Sequence, residues 1–270
     1  YTFEPRKPVP LGTMFRNGVE CVSGILVFQD IVQNPEAQSA KDYFGEESAL
    51  PDKSDITAHT AEVLRLVEGA KITAGGWVGG DSWFGSVATA VEVMKRFSVH
   101  SSWIIKQNQS WFPMKALYAV LKARHKDRPA GHWVTFHAEI SGVELIAMAY
   151  AWSQRGISYI LSTCGSNEPA EKMYMSYFED DYGNVGSKEI RRPELAHLLY
   201  DYLPLIDEHN KQRQRILGLE RKWPTRNCWF RLLTTMLGMC IVDMHRLYRN
   251  LRNERYTDVD IVEFSDLLCK

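Results

Sequence analysis

Apolar and β-prone positions gather over residues 11–32 in two β-rich runs, 11–23 and 24–32, broken at the turn pair Ser23-Gly24. That pattern predicts an antiparallel pair of strands. Residues 33–53 are polar, contain Pro35 and Pro51, and read as a loop. The period then changes. Val63, Leu66 and Val67 recur at helical spacing behind Asp55, a candidate N-cap, and Gly69 ends that helix. A glycine-rich strand is expected over 71–80. A helix follows over 86–97, with Val87, Val91, Met94 and Phe97 on one face, and then a strand over 99–106. Pro113 opens a helix over 114–124. Three strand-like runs come next, 133–140, 143–152 and 157–163, the first two joined by the hairpin pair Ser141-Gly142.

Residues 165–192 are polar and show no clear period, so they read as irregular. Pro193 begins a helix carrying Leu195, Leu198, Leu199 and Tyr202, and Pro204 begins another that holds Asp207. A long helix is predicted over 225–255, with Trp229, Leu233, Met236, Cys240, Met244 and Leu247 as its buried stripe. A short helix over 259–268 ends the chain. Strands and helices in this order predict an α/β layer followed by a helical C-terminal part.

The chain has 270 residues, 45% of them hydrophobic and 24% charged, which excludes disorder as a whole-chain description. Lys and Arg number 32 against 33 Asp and Glu, so any affinity for polyanions must come from a local basic patch. Five scattered cysteines with no C-x-x-C pair make a disulfide framework or a structural zinc site a poor fit. The longest nearly apolar stretch, 232–242, falls well short of the roughly 20 residues a membrane span needs. The chain opens on YTFEPRKPVP with neither a signal peptide nor an initiator Met, and is expected to be processed or part of something longer.

Two carboxylates stand out. Asp81, in AGGWVGGDSWFGS, sits where a glycine-rich strand gives way to a loop, with Trp83 and Phe84 placed to anchor it. Asp207, in YLPLIDEHNKQRQR, falls in the first turn after Pro204. Each alone is most simply a capping or first-turn acid. Together, on separate elements, they form part of the skeleton of a two-metal phosphoryl-transfer site, which would need a third acidic ligand. Basic runs that could meet phosphates are Lys188, Arg191 and Arg192, then Lys211, Arg213 and Arg215, then the series Arg246, Arg249, Arg252 and Arg255. His132 and His137 are expected on opposite strand faces and make no joint metal site. P-loop, dinucleotide-binding, nucleophile-elbow and zincin motifs are absent from the sequence.

The blocks PRKPVPLG (5–12), GGDSWFGS (79–86), LPLIDEHN (203–210) and WPTRNCWFRLLTTMLGMCIVD, in that order, resemble piggyBac-type transposases and piggyBac-derived proteins. The resemblance runs from about 5 to 249 and implies an RNase H-like catalytic core with a β-rich insertion and a helical C-terminal part. In residue terms the core would be 1–112 and 193–255, the insertion 113–192, and a C-terminal extension 256–270. It implies Mg²⁺-dependent DNA nicking and joining, with Asp81 as the second catalytic carboxylate and Asp207 as the third. It also implies DNA as partner, a homodimer as candidate assembly, and a nuclear location. The family's first catalytic Asp would precede Tyr1, so Mg²⁺ is expected only if upstream sequence supplies that carboxylate. Asp30, the nearest acid on an early strand, matches no catalytic block. Asn210 stands where the family often carries a fourth acid, Ser82 where it prefers Asn, and the family's C-terminal cysteine-rich module has no counterpart. A transposase-derived protein that binds DNA or other partners without cutting is therefore the alternative. A hairpin at 11–32 lacking its neighbouring strand is expected to leave an open edge.

Overall fold

The computed structural model describes residues 2–3, 11–106, 109–125, 130–153, 156–179, 183, 185–251 and 259–269. The chain divides into two compact units, one made of 1–35 with 204–270 and the other of 36–203.

The second unit is organised on a five-stranded sheet in the order β5-β6-β9-β8-β7. Its strands are β5 (Trp77–Gly80), β6 (His100–Ile104), β7 (Trp133–Ile140), β8 (Val143–Ala151) and β9 (Ile157–Ser162). Only β5 and β6 run parallel; β6 to β9, β9 to β8 and β8 to β7 are antiparallel. The parallel pair requires a crossover, supplied by helix α3 (Val87–Phe97). Alternation along β8 feeds two cores, because successive side chains point to opposite faces. Ala147, Ala149 and Ala151 join a cluster with Val87, Val91, Leu64 and Leu117 from α3, α2 (Ala58–Gly69) and α4 (Met114–Arg124). Met148 and Tyr150 instead meet Leu195 and Leu199 of α5 (Glu194–Tyr202). The strands expected over 133–163 form, joined at a turn where Ser141 and Gly142 both take positive φ. They extend the sheet from β6 rather than forming a layer of their own.

In the first unit β1 (Thr2–Phe3) and β2 (Leu11–Gly12) pair antiparallel, as do β3 (Phe15–Val19) and β4 (Leu26–Ile31). The turn of the second pair spans Glu20 to Gly24: the Glu20 carboxylate accepts from the Val22 and Ser23 amides, and Gly24 takes φ +69°. Helix α6 (Pro204–Lys211) runs into a π-helix (Gln212–Leu217), then come α7 (Leu219–Lys222), α8 (Cys228–Leu251) and α9 (Ile261–Leu268). Leu217, Val242 and Ile261 form its apolar centre.

Several expectations fail for physical reasons. The loop over 33–53 contains a short helix, α1 (Pro35–Ser39). Asp55 does not cap α2; it pairs in a bridge with Glu47, and Thr57 stands at the cap. Of the strand expected over 71–80 only the last four residues pair, because Lys71 and Gly75 take positive φ in turns. The stretch 165–192 contains an antiparallel hairpin, β10 (Tyr174–Glu179) with β11 (Val185–Ile190). The largest reversal is on α8. Trp229, Leu233, Met236, Cys240, Met244 and Leu247 are exposed, while Thr234, Gly238, Met239, Val242, His245 and Arg246 are buried. Arg252 and Arg255 lie outside the described residues.

Candidate functional site

Asp81 is the first residue after β5, at the carboxyl end of the parallel pair, where open α/β sheets place ligands. The backbone there is held by close approach. A Cβ on Gly79 would meet the Trp77 ring, one on Gly80 would lie 2.9 Å from the Trp103 ring, and one on Gly85 would fall 2.1 Å from the Ile104 carbonyl oxygen. The glycines let the loop lie flat on β6, and Phe84 packs into the core below it. Ser86 then caps α3, accepting from the Thr89 amide at 3.0 Å.

Asp81 itself is exposed. Its Oδ1 accepts from the Trp83 amide at 2.9 Å, so the capping role and the ligand role coexist: among the described residues Oδ2 makes no hydrogen bond. The half-exposed Trp83 ring meets His59 edge-on at 4.5 Å, and the Lys106 ammonium lies 5.2 Å from its centroid.

Asp207 stands in the first turn of α6, exposed, with no hydrogen-bond or ion-pair partner among the described residues. Asn210 and Lys211 follow on the same helix. Asp81 belongs to the unit 36–203 and Asp207 to the other. No group of three or more His, Cys, Asp or Glu side chains comes together among the described residues. The donor chemistry suits a hard dication, since among the described residues each carboxylate keeps at least one oxygen without a protein partner.

The basic candidates separate by burial. Lys188 and Arg191 are exposed at the end of the β10–β11 hairpin, and Lys211 and Arg215 are exposed around the π-helix. Arg192 and Arg213, expected as surface cations, are buried. The Arg192 guanidinium sits between the Tyr174 and Tyr200 rings, 4.0 and 4.9 Å from their centroids. Arg213 pairs with Glu220, and its burial lowers the guanidinium pKa against that partner's opposing charge. Charge runs in sequence do not distinguish these cases; the tyrosines flanking Arg192 come from segments 26 residues apart, Tyr174 and Tyr200. His132 precedes β7 and stacks on His125 at 3.8 Å. Sequence reading missed the polar contacts of His209, Asp243 and Arg246, for which spacing offers no signal.

No helix among the described residues is long and apolar enough to cross a membrane. The sequence profile of the family described as Transposase IS4 matches residues 1–243. No curated protein matches the chain. Among solved structures, the cryo-EM structure of a piggyBac transposase synaptic complex with hairpin DNA is similar, with a TM-score of 0.66 over 99% of this chain at 14% identity. The chain spans 47% of that protein's length.

Proposed function

The chain belongs to the family described as Transposase IS4, and from that premise we propose that it is a piggyBac-like DNA transposase region that nicks and joins DNA strands with divalent metal. In this reading Asp81 and Asp207 are catalytic metal ligands of an RNase H-like core over 1–112 and 193–255. Residues 113–192 are its β-rich insertion and 256–270 its C-terminal extension. The observation that carries the reading is that both carboxylates stand exposed at element ends with an oxygen unpartnered among the described residues, Asp81 doing so while it caps its own loop. Mg²⁺ bound there would supply activation of water or a 3′-hydroxyl and stabilisation of the leaving oxygen. The protein's part is to hold two hard anionic ligands on firm backbone, one on a loop pressed against β6 and one in the first turn of α6.

Lys188, Arg191, Lys211 and Arg215 are the phosphate contacts in this proposal, since their charges face solvent. Arg192 and Arg213 serve the interior instead. DNA as substrate, a homodimer and a nuclear location belong to the same reading. A second reading, DNA binding without cutting, draws on Asn210, which stands where the resembled family often carries an acid. It leads us to expect weak nicking, or none, from this chain by itself.

Gel-shift and nicking assays on duplex DNA, with and without Mg²⁺, separate the two. Mg²⁺-dependent nicking abolished by Asp81→Ala and by Asp207→Ala supports catalysis. Salt-sensitive binding without nicking supports the second reading. Neither binding nor nicking would sink both.

A further inference from the structure

Within the unit 1–35 and 204–270, two side chains of α8 tie the β3–β4 hairpin to α6 and to the π-helix that follows it. Asp243 Oδ1 accepts from the Leu26 amide at 3.0 Å and lies 3.1 Å from His209 Nε2. With the carboxylate oxygen as acceptor, His209 donates to it through Nε2. Nearly one turn further along, Arg246 donates to the Gly24 carbonyl and to Gln212 Oε1. Burial lowers the Arg246 pKa, and the negative charges of Glu208 and Asp243 oppose that shift.

His209 is 1% exposed and is the buried residue of α6. The rest of that eight-residue helix is half-buried at Leu205, Ile206 and Asn210 and exposed elsewhere, so His209 is its deepest anchor. Residues two apart on an α-helix point about 200° away from each other. Holding His209 inward therefore turns Asp207 outward, as observed. A slip of one residue in that anchor would swing the Asp207 carboxylate by about 100°.

We propose that Asp243 is a positioning residue for Asp207, acting through His209. The Asp243 carboxylate takes the start of β4 as its reference and sets the rotation of α6 against it. The inference rests on the reading of Asp207 as a metal ligand.

The test uses the full chain, with Mn²⁺ as a paramagnetic probe and amide line broadening as the readout. In the wild type, Mn²⁺ should broaden amides beside Asp207 and beside Asp81. Asp243→Leu and His209→Phe each remove one end of the link while keeping bulk in place. Each should weaken the Asp207 response at least tenfold in Mn²⁺ concentration and leave the Asp81 response unchanged. Asp243→Asn keeps a side-chain oxygen able to accept both donors and should restore it. Thermal unfolding of each variant shows whether it is folded.

An unchanged Asp207 response in both link-breaking variants would overturn the proposal. So would failure of Asp243→Asn to rescue, or loss at Asp81 as well, which would mean general unfolding. Absence of broadening at both carboxylates in the wild type is a different failure: it removes the metal-ligand reading itself.

Discussion

Gly85→Ala is the sharpest test of how the Asp81 loop is held. The Cβ it adds would sit 2.1 Å from the Ile104 carbonyl oxygen and 3.0 Å from Trp103 Cβ. Ordinary carbon–oxygen contacts of this kind lie at about 3.3–3.6 Å, so backbone must separate by more than about 1 Å. Neither side yields easily. Ile104 ends β6, which is paired on both sides by β5 and β9, and Trp103 is 1% exposed. Overpacking a well-packed site costs about 1–3 kcal/mol, and rigid backbone on one side puts this substitution near 3. For a unit the size of residues 36–203, about 2–4 °C is lost per kcal/mol, giving a fall of about 6–12 °C. Gly45→Ala is the control, because Gly45 has φ +75° and nothing within 4 Å of the built Cβ. It should lose only the strain of a left-handed alanine, about 1 kcal/mol, or about 2–4 °C. Thermal unfolding followed by circular dichroism measures both. If Gly85→Ala melts no lower than Gly45→Ala, the close approach to β6 does not hold the loop, and the account of Asp81's rigidity is wrong.

On α8, Leu233→Lys should change stability by no more than a surface substitution does, about 0.5 kcal/mol, whereas Val242→Lys, at a fully buried position, should cost about 3 kcal/mol or more; equal effects in thermal unfolding would refute the assigned face. Arg192→Ala should lower stability through loss of its contacts with Tyr174 and Tyr200, about 0.5–2 kcal/mol from the cation–π term. Lys188→Ala should leave melting unchanged while reducing the salt slope of DNA binding by about 1, a prediction that fails if the slope is unaltered. Burial, then the Glu68 hydrogen bond and charge, push the Tyr43 phenol up to about 12. The unfolded phenol loses its proton first, near 10. The contribution of Tyr43 is therefore complete below about pH 10 and disappears as pH rises through 12. Denaturation of wild type and Tyr43→Phe at several alkaline pH values should show their difference shrinking; a constant gap would refute the assignment.

What the sequence made legible, and what it hid, follows from the range of the interactions involved. Strands β7 to β9 were readable because β-branched and aromatic runs meet at Ser141-Gly142, whose backbone takes the positive φ that such a turn needs. Asp81 was readable because the glycines around it announce close backbone approach, and the structure supplies the atoms being approached. The β10–β11 hairpin is hidden in the sequence although Tyr174 and Tyr177 are strand formers, because the charged residues around them dilute the period. On α8 the failure goes deeper. Periodicity locates an apolar stripe, but it does not say which face the rest of the chain covers. The buried face instead carries Gly238, whose Cβ would lie 3.0 Å from the Arg213 side chain, and His245 and Arg246, which satisfy the Val259 and Gly24 carbonyls. Each of those contacts is set by a residue outside the helix. The face is therefore chosen by polar groups that need partners, at a cost of about 1–3 kcal/mol for each left unmet. The two carboxylates of the candidate site differ in the same way. Asp81 is placed by its own neighbours in sequence, whereas the rotation of Asp207 depends on Asp243, an acid that no local pattern connects to it. Substitutions near Asp81 should therefore act through the loop itself, while Asp207 should be open to disturbance from α8, remote in sequence.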